Sequence, residues 1–155
     1  MPRLTPQTRA HYGVPDGWNF GIETRVQWRD VDMLAHAHHL SYLAHCEDVR
    51  SEYQAEVGLL QSGTDHPSQV IACIRAQYHG SLAFRDDVLV ATRTVRLGRS
   101  SSTAGYAVWK DSKCLFSAEM DLVLYDLKLA LAVPLADSVR ERIRLLDPAV
   151  VEGHE

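Results

Sequence analysis

Apolar and polar positions change period several times along the chain, and each change marks an element. From Phe20 to Trp28, Ile22, Val26 and Trp28 alternate with Glu23, Arg25 and Gln27, which predicts a strand. From about His38 to Val57 the period lengthens. Leu40, Leu43, Cys46, Val49, Tyr53 and Val57 recur every three or four residues and predict a long helix with one apolar stripe. Gly58 follows at once and suits the helix C-terminus. Ser62 to Pro67 reads as a loop. The period then returns to two: Val70, Ala72, Ile74, Ala76 and Tyr78 alternate with Ile71, Cys73, Arg75 and Gln77. Turns at Gly80–Asp87, Gly98–Ser102 and Asp111–Ser112 separate this strand from three more, Val88–Leu97, Thr103–Lys110 and one starting at Cys114. On the last, Cys114, Phe116, Ala118, Met120, Leu122 and Leu124 form an apolar face, opposite Ser117, Glu119 and Asp121. Pro134 stands where a final short helix should begin; Leu135, Val139, Ile143 and Leu146 line one side, and Pro148 ends it.

One helix followed by hairpin-spaced strands implies an α+β domain: an antiparallel sheet covering one long helix. Residues 1–19 read as a loosely structured, flexible leader, 20–147 as the domain and 148–155 as a tail. A sheet of five strands leaves edges to manage, so a homo-oligomer, homodimer or homotetramer, joined at an edge strand is expected.

Composition narrows the classes. The 155 residues suit one domain with a real core, and a net charge of −4 offers no basic excess for nucleic acid. No segment has the ~20 apolar residues of a membrane span. Nor does the N-terminus have a signal-length apolar run, so a cytoplasmic protein is expected. Cys46, Cys73 and Cys114 lie far apart among apolar neighbours, which predicts buried free thiols.

The chemistry-bearing segment is Arg29–Arg50, RDVDMLAHAHHLSYLAHCEDVR. Asp30 and Asp32 stand at a strand end, and the long helix starts shortly after. Two aspartates there can serve as caps or dipole partners. They can also form half of an acyl-transfer site. A helix N-terminus presents unpaired N–H groups that could hold an oxyanion, and a carboxylate could attack the carbonyl or activate water.

This segment resembles the signature of the 4-hydroxybenzoyl-CoA thioesterase family, D-x-D-x-x-G-x-x-x-(H/N/Y)-x-x-Y followed by E-x-x-R. Asp30 and Asp32 match the aspartates, His39 the variable polar position, Tyr42 the tyrosine, and Glu47 and Arg50 the last pair. Ala35 stands where glycine is usual. The Tol-Pal-associated acyl-CoA thioesterases look closest at Asp32, His39, Ser41 and Tyr42. A sister group with H-V-N-N resembles His36-Ala37-His38-His39. Tyr78, Asp86-Asp87-Val88, Ser100 and Pro134-Leu135 extend the likeness over residues 22–146.

The resemblance implies a hotdog fold and hydrolysis of an acyl-CoA to free acid and coenzyme A. It puts the catalytic carboxylate on Asp32, as nucleophile or general base, and the carbonyl-polarising N–H on His39, whose side chain could assist. Tyr42 falls among the substrate-binding positions. Arg96, Arg99 and Ser100 fall where the family often meets the nucleotide, with Arg85 a weaker candidate. Asp30 reads as a structural residue of the turn, and Glu47 as a partly buried partner of Arg50. The acyl chain is expected in an apolar channel between the helix and a neighbouring subunit. No cofactor is expected beyond the coenzyme A of the substrate, and His36, His38 and His39 do not converge as zinc ligands should. Two alternatives stay open: a hydroxyacyl-thioester dehydratase, and a non-catalytic acyl-thioester binder. Acyl carrier protein is an alternative carrier.

Overall fold

The computed structural model describes residues 3–153; the first two residues of the expected leader and the last two of the expected tail lie outside them. In chain order the elements are α1 (Pro6–Tyr12), β1 (Phe20–Arg25), a 3-10 turn (Trp28–Asp30), α2 (His39–Val57), β2 (Ser68–Tyr78), β3 (Asp87–Leu97), β4 (Ser101–Lys110), β5 (Lys113–Asp126), β6 (Leu131–Ala132), α3 (Asp137–Leu146) and β7 (Val151–Glu152). The main strands pair antiparallel in the order β1-β3-β4-β5-β2, while β6 pairs antiparallel with the end of β5 and β7 pairs parallel with β3. This sheet curls around α2, the α+β arrangement expected.

The apolar stripe of α2 supplies Tyr42, Cys46, Val49, Tyr53 and Val57 to the core. They meet inward-facing side chains of the sheet, among them Phe20, Val90, Tyr106 and Val108. Phe116, Ala118, Met120, Leu122 and Leu124 of β5 are buried on the same side, as their alternation requires. Leu40 leaves the stripe and is exposed at the helix start.

Four expectations are corrected. First, β1 stops at Arg25 rather than Trp28. The Asp30 carboxylate accepts from the Gln27 N–H at 2.7 Å and draws the chain into the 3-10 turn, so Trp28 faces outward. Second, α3 begins at Asp137, not at Pro134. The Val133 and Leu135 N–H groups bond to Leu124 and Arg99 carbonyls, which holds that segment extended against the sheet.

Third, residues 3–19 of the leader are structured. Thr5 caps α1 through the Thr8 N–H, and Gly13 ends it with φ 64°. Arg9 bonds the carbonyls of Pro15 and Trp18 and the side chain of Asn19. Tyr12 and Val14 are buried with Leu89 on the outer face of the sheet, beside Trp18 and Trp109. Fourth, only Cys46 is fully buried. Cys114 is half-buried, and Cys73 is exposed on β2, the edge strand with no strand beyond it among the described residues.

Candidate active site

Between the 3-10 turn and α2 the chain folds back on itself. Val31 pairs with Ala37, the Asp32 N–H bonds the His36 carbonyl, and the Ala35 N–H bonds the Asp32 carbonyl. Ala35 has φ 58°, in the left-handed region. The turn thus keeps the backbone that a glycine would supply, at a cost of ~1 kcal/mol or more for a residue with a Cβ. His36 pairs with Ala83 and the Ala37 N–H bonds the Leu82 carbonyl, so this loop lies against the segment leading into β3.

The two aspartates part company here. Asp30 is 8% exposed and caps the 3-10 turn. Its carbonyl accepts from the His38 N–H at 2.7 Å and the Ser41 hydroxyl at 2.9 Å, which ties it to the first turn of α2. Asp32 is exposed. One of its oxygens accepts from the Leu34 N–H at 2.8 Å.

His38 is the N-cap of α2, and its Nδ1 accepts from the Leu40 N–H. The Ser41 N–H turns back to the His38 carbonyl. The His39 N–H, at the first helical position, has no acceptor among the described residues. It therefore carries both an unmet donor and the positive end of the helix dipole. The His39 ring is exposed and lies 4.2 Å from that of His38. Met33, Leu34 and Leu40 are exposed beside it. Trp28 and Phe84 meet edge to face at 5.5 Å, and Arg85 lies over Phe84. Exposed apolar side chains thus share the loop and helix start with exposed Asp32, His36 and His39.

Tyr42, expected among the substrate contacts, is only 3% exposed. Its hydroxyl donates to the Gly80 carbonyl and accepts from the Leu82 N–H, so it is buried and ties α2 to the segment between β2 and β3. Tyr78, on β2, reaches the same helix turn from outside: its hydroxyl bonds the His39 carbonyl at 2.9 Å.

Arg96, Arg99 and Ser100 are not brought to Asp32. The Asp32 loop pairs just before β3 begins, whereas these three lie where β3 ends. The 11 residues of β3 separate the two places by ~30 Å. Arg96 instead flanks the outer-face cleft with Asp121 and Glu119. Arg85, over Phe84, and exposed Arg29 of the 3-10 turn are cations at the Asp32 end. Glu47 and Arg50 form the expected pair, but the arginine is the more buried partner. Sequence reasoning also passed over His45. Its ring is buried in α2, and Nε2 lies 3.5 Å from the Asp30 carboxylate. Its place beside Cys46, on the inward side of the helix, was the available signal.

The model of the Thioesterase-like superfamily matches residues 26–143. The chain belongs to this superfamily. Among solved structures, a thioesterase superfamily protein from Jannaschia sp. CCS1 is 21% identical, with 96% of each chain covered and a TM-score of 0.87. A thioesterase from Thermus thermophilus, complexed with coenzyme A and Zn, is 26% identical, with 86% of this chain and 98% of that one covered and a TM-score of 0.75. A 1,4-dihydroxy-2-naphthoyl-CoA thioesterase from Synechocystis is 16% identical, with 83% and 97% covered and a TM-score of 0.75. The first and third likenesses are of fold. A search of curated proteins finds no match. The superfamily match begins at Val26, so it spans the Asp32 loop and α2 and leaves α1 outside. No helix among the described residues is long and apolar enough to cross a membrane.

Proposed function

We propose that this member of the superfamily hydrolyses an acyl-CoA thioester to the free acid and coenzyme A. The observation that carries the reading is the exposed Asp32 carboxylate on a loop that runs directly into a helix start whose His39 N–H is unmet. The thioester oxygen would accept from that N–H, where developing negative charge is favoured by the helix end. Asp32 then adds to the carbonyl carbon, or removes a proton from water as the water adds. Either way the C–S bond breaks, and the thiolate leaves to take up a proton. An Asp32-linked acyl group, in the first case, is released by water. His39 acts through its backbone, with its exposed ring free to order water.

The coenzyme A complex of the Thermus thermophilus thioesterase supports coenzyme A as the carrier. The Tol-Pal-associated type is the subgroup that Asp32, His39, Ser41 and Tyr42 most resemble. Because Arg96, Arg99 and Ser100 lie ~30 Å along β3 from the Asp32 loop, they can meet a nucleotide bound there only from a second copy. The bare β2 edge, with Val70, Ile71, Ile74 and Tyr78 exposed, is the surface such a copy would use, giving a homodimer or homotetramer. The acyl group would lie between that copy and the apolar surface around Leu34 and Leu40.

The test is thiol release from a panel of aliphatic and aromatic acyl-CoAs, with wild type and Asp32→Ala. The expected result is turnover of at least one member, lost in the variant. Full rate in the variant, or no thiol from any member, would overturn the reading. An enoyl product from a hydroxyacyl-CoA would favour the dehydratase instead.

A further inference from the structure

His45 sits on α2 six residues, nearly two turns, past His39, on the inward side. It is 8% exposed, and its Nε2 is buried without a hydrogen-bond partner among the described residues. The nearest charged group is the Asp30 carboxylate, at 3.5 Å, slightly beyond ordinary hydrogen-bond length. A leucine would pack at this position without burying an unmet polar atom, so packing alone does not account for a histidine.

What Asp30 does explains the placement. Its carboxylate holds the Gln27 N–H, and its carbonyl holds the His38 N–H and the Ser41 hydroxyl. Asp30 is thus the fixed point between the 3-10 turn and the first turn of α2. Asp32 lies two residues after it, and the His39 N–H follows the amide that its carbonyl binds. A shift of Asp30 therefore changes the spacing of both groups that would face the thioester.

We propose that His45 is a positioning residue: with Nε2–H toward the Asp30 carboxylate, it holds the Asp30 pivot from beneath and thereby sets the distance between Asp32 and the His39 N–H. This rests on the reading of those two groups given above. A misplacement of about 1 Å is enough to cost a large factor in rate while leaving binding nearly intact. The contact is 3.5 Å, and contacts of this kind tighten in the complex with substrate.

The test compares His45→Leu and His45→Gln with wild type in two measurements. In turnover of the best acyl-CoA, the leucine variant should lose roughly tenfold in kcat with KM little changed, and glutamine, which keeps a donor, should restore most of it. In amide hydrogen exchange, the leucine variant should lose protection at Asp32, His38 and Ser41 while the centre of α2 keeps its protection. Wild-type kcat and wild-type exchange in the leucine variant would overturn the proposal. So would equal losses in both variants accompanied by a general loss of protection. If wild type cleaves no acyl-CoA, the reading of Asp32 fails, and the exchange pattern alone decides whether His45 holds the loop.

Discussion

The two ends of α2 are built to opposite specifications. At the carbonyl end Gly58 takes φ 84° and its N–H closes onto Ala55 and Gln54 carbonyls, with Leu59 adding a further bond to Gln54. One turn earlier, the buried Tyr53 hydroxyl donates to Asp147 at 2.6 Å. With its one proton spent there, it accepts from the Thr94 hydroxyl at 2.9 Å, and the Thr94 N–H also reaches Asp147. Val139, Ile143 and Leu146 of α3 are buried nearby. At the amide end the His39 N–H has no acceptor among the described residues, and Met33, Leu34 and Leu40 are bare. One end of the helix is closed by hydrogen bonds, and the other keeps an N–H without an acceptor among the described residues. Damage at the carbonyl end should therefore appear as lost stability, and damage at the amide end as lost rate.

The sharpest way to break this contrast is at Asp32. Asp32→Ala should lower kcat by ~10³-fold while the melting temperature stays near that of wild type, because the side chain is exposed and bonds only its own turn. A large fall in melting temperature would mean that the amide end, too, is structural. The next largest effect belongs to the other end. Asp147→Leu removes the buried acceptor of the Tyr53 hydroxyl and the Thr94 N–H, and should cost ~3 kcal/mol of unfolding free energy. Its kcat per folded molecule should be unchanged. Urea unfolding beside active-site-normalised turnover separates the two.

How much of this was legible in the sequence differs between the same regions. The α2 stripe, its Gly58 cap and the β5 alternation are local patterns, and the structure keeps them within a residue or two. α1 was not legible, because Tyr12, Val14 and Trp18 carry no period of their own; their reason for order is Leu89 and Trp109, more than 70 residues away. At the site, Asp32 and His39 stood out as a motif, but motif matching says nothing about distance. The length of Val88–Leu97 already implied that a turn before it and a turn after it lie far apart. Tyr42 shows the converse limit: a motif residue can belong to the motif because it packs. Its hydroxyl has two backbone partners, and neither is near it in sequence.

A smaller effect, which sharpens the carbonyl end, comes from pH. Burial first of all pushes the Asp147 carboxyl above the usual carboxylate range, against the hydrogen bonds from Tyr53 and Thr94 and the charge of Arg93. The folded state then binds this proton more tightly than the unfolded chain. Its contribution is fully present below the unfolded value and is lost as pH rises through the folded one. Asp147→Asn keeps an oxygen for both donors and removes the titration. Unfolding free energy measured from acid pH upward should fall less steeply with pH in the variant than in wild type. Equal slopes would mean that Asp147 is not the group responsible.

The smallest effect lies in the loop that carries Asp32. Ala35 holds φ 58° where the family signature has glycine, and its N–H closes the turn onto the Asp32 carbonyl. Ala35→Gly removes the clash of Cβ with the following carbonyl, but it also frees the unfolded chain, so the two terms oppose. The steric term is the larger in the left-handed region, which predicts a net gain of about 0.5 kcal/mol. If the strain holds Asp32 in place, kcat should drop slightly in the more stable variant. If it is merely tolerated, kcat should stay level while stability rises. A loss of stability would show instead that the bonds to Asp32 and His36, rather than the φ of Ala35, determine the shape of the turn.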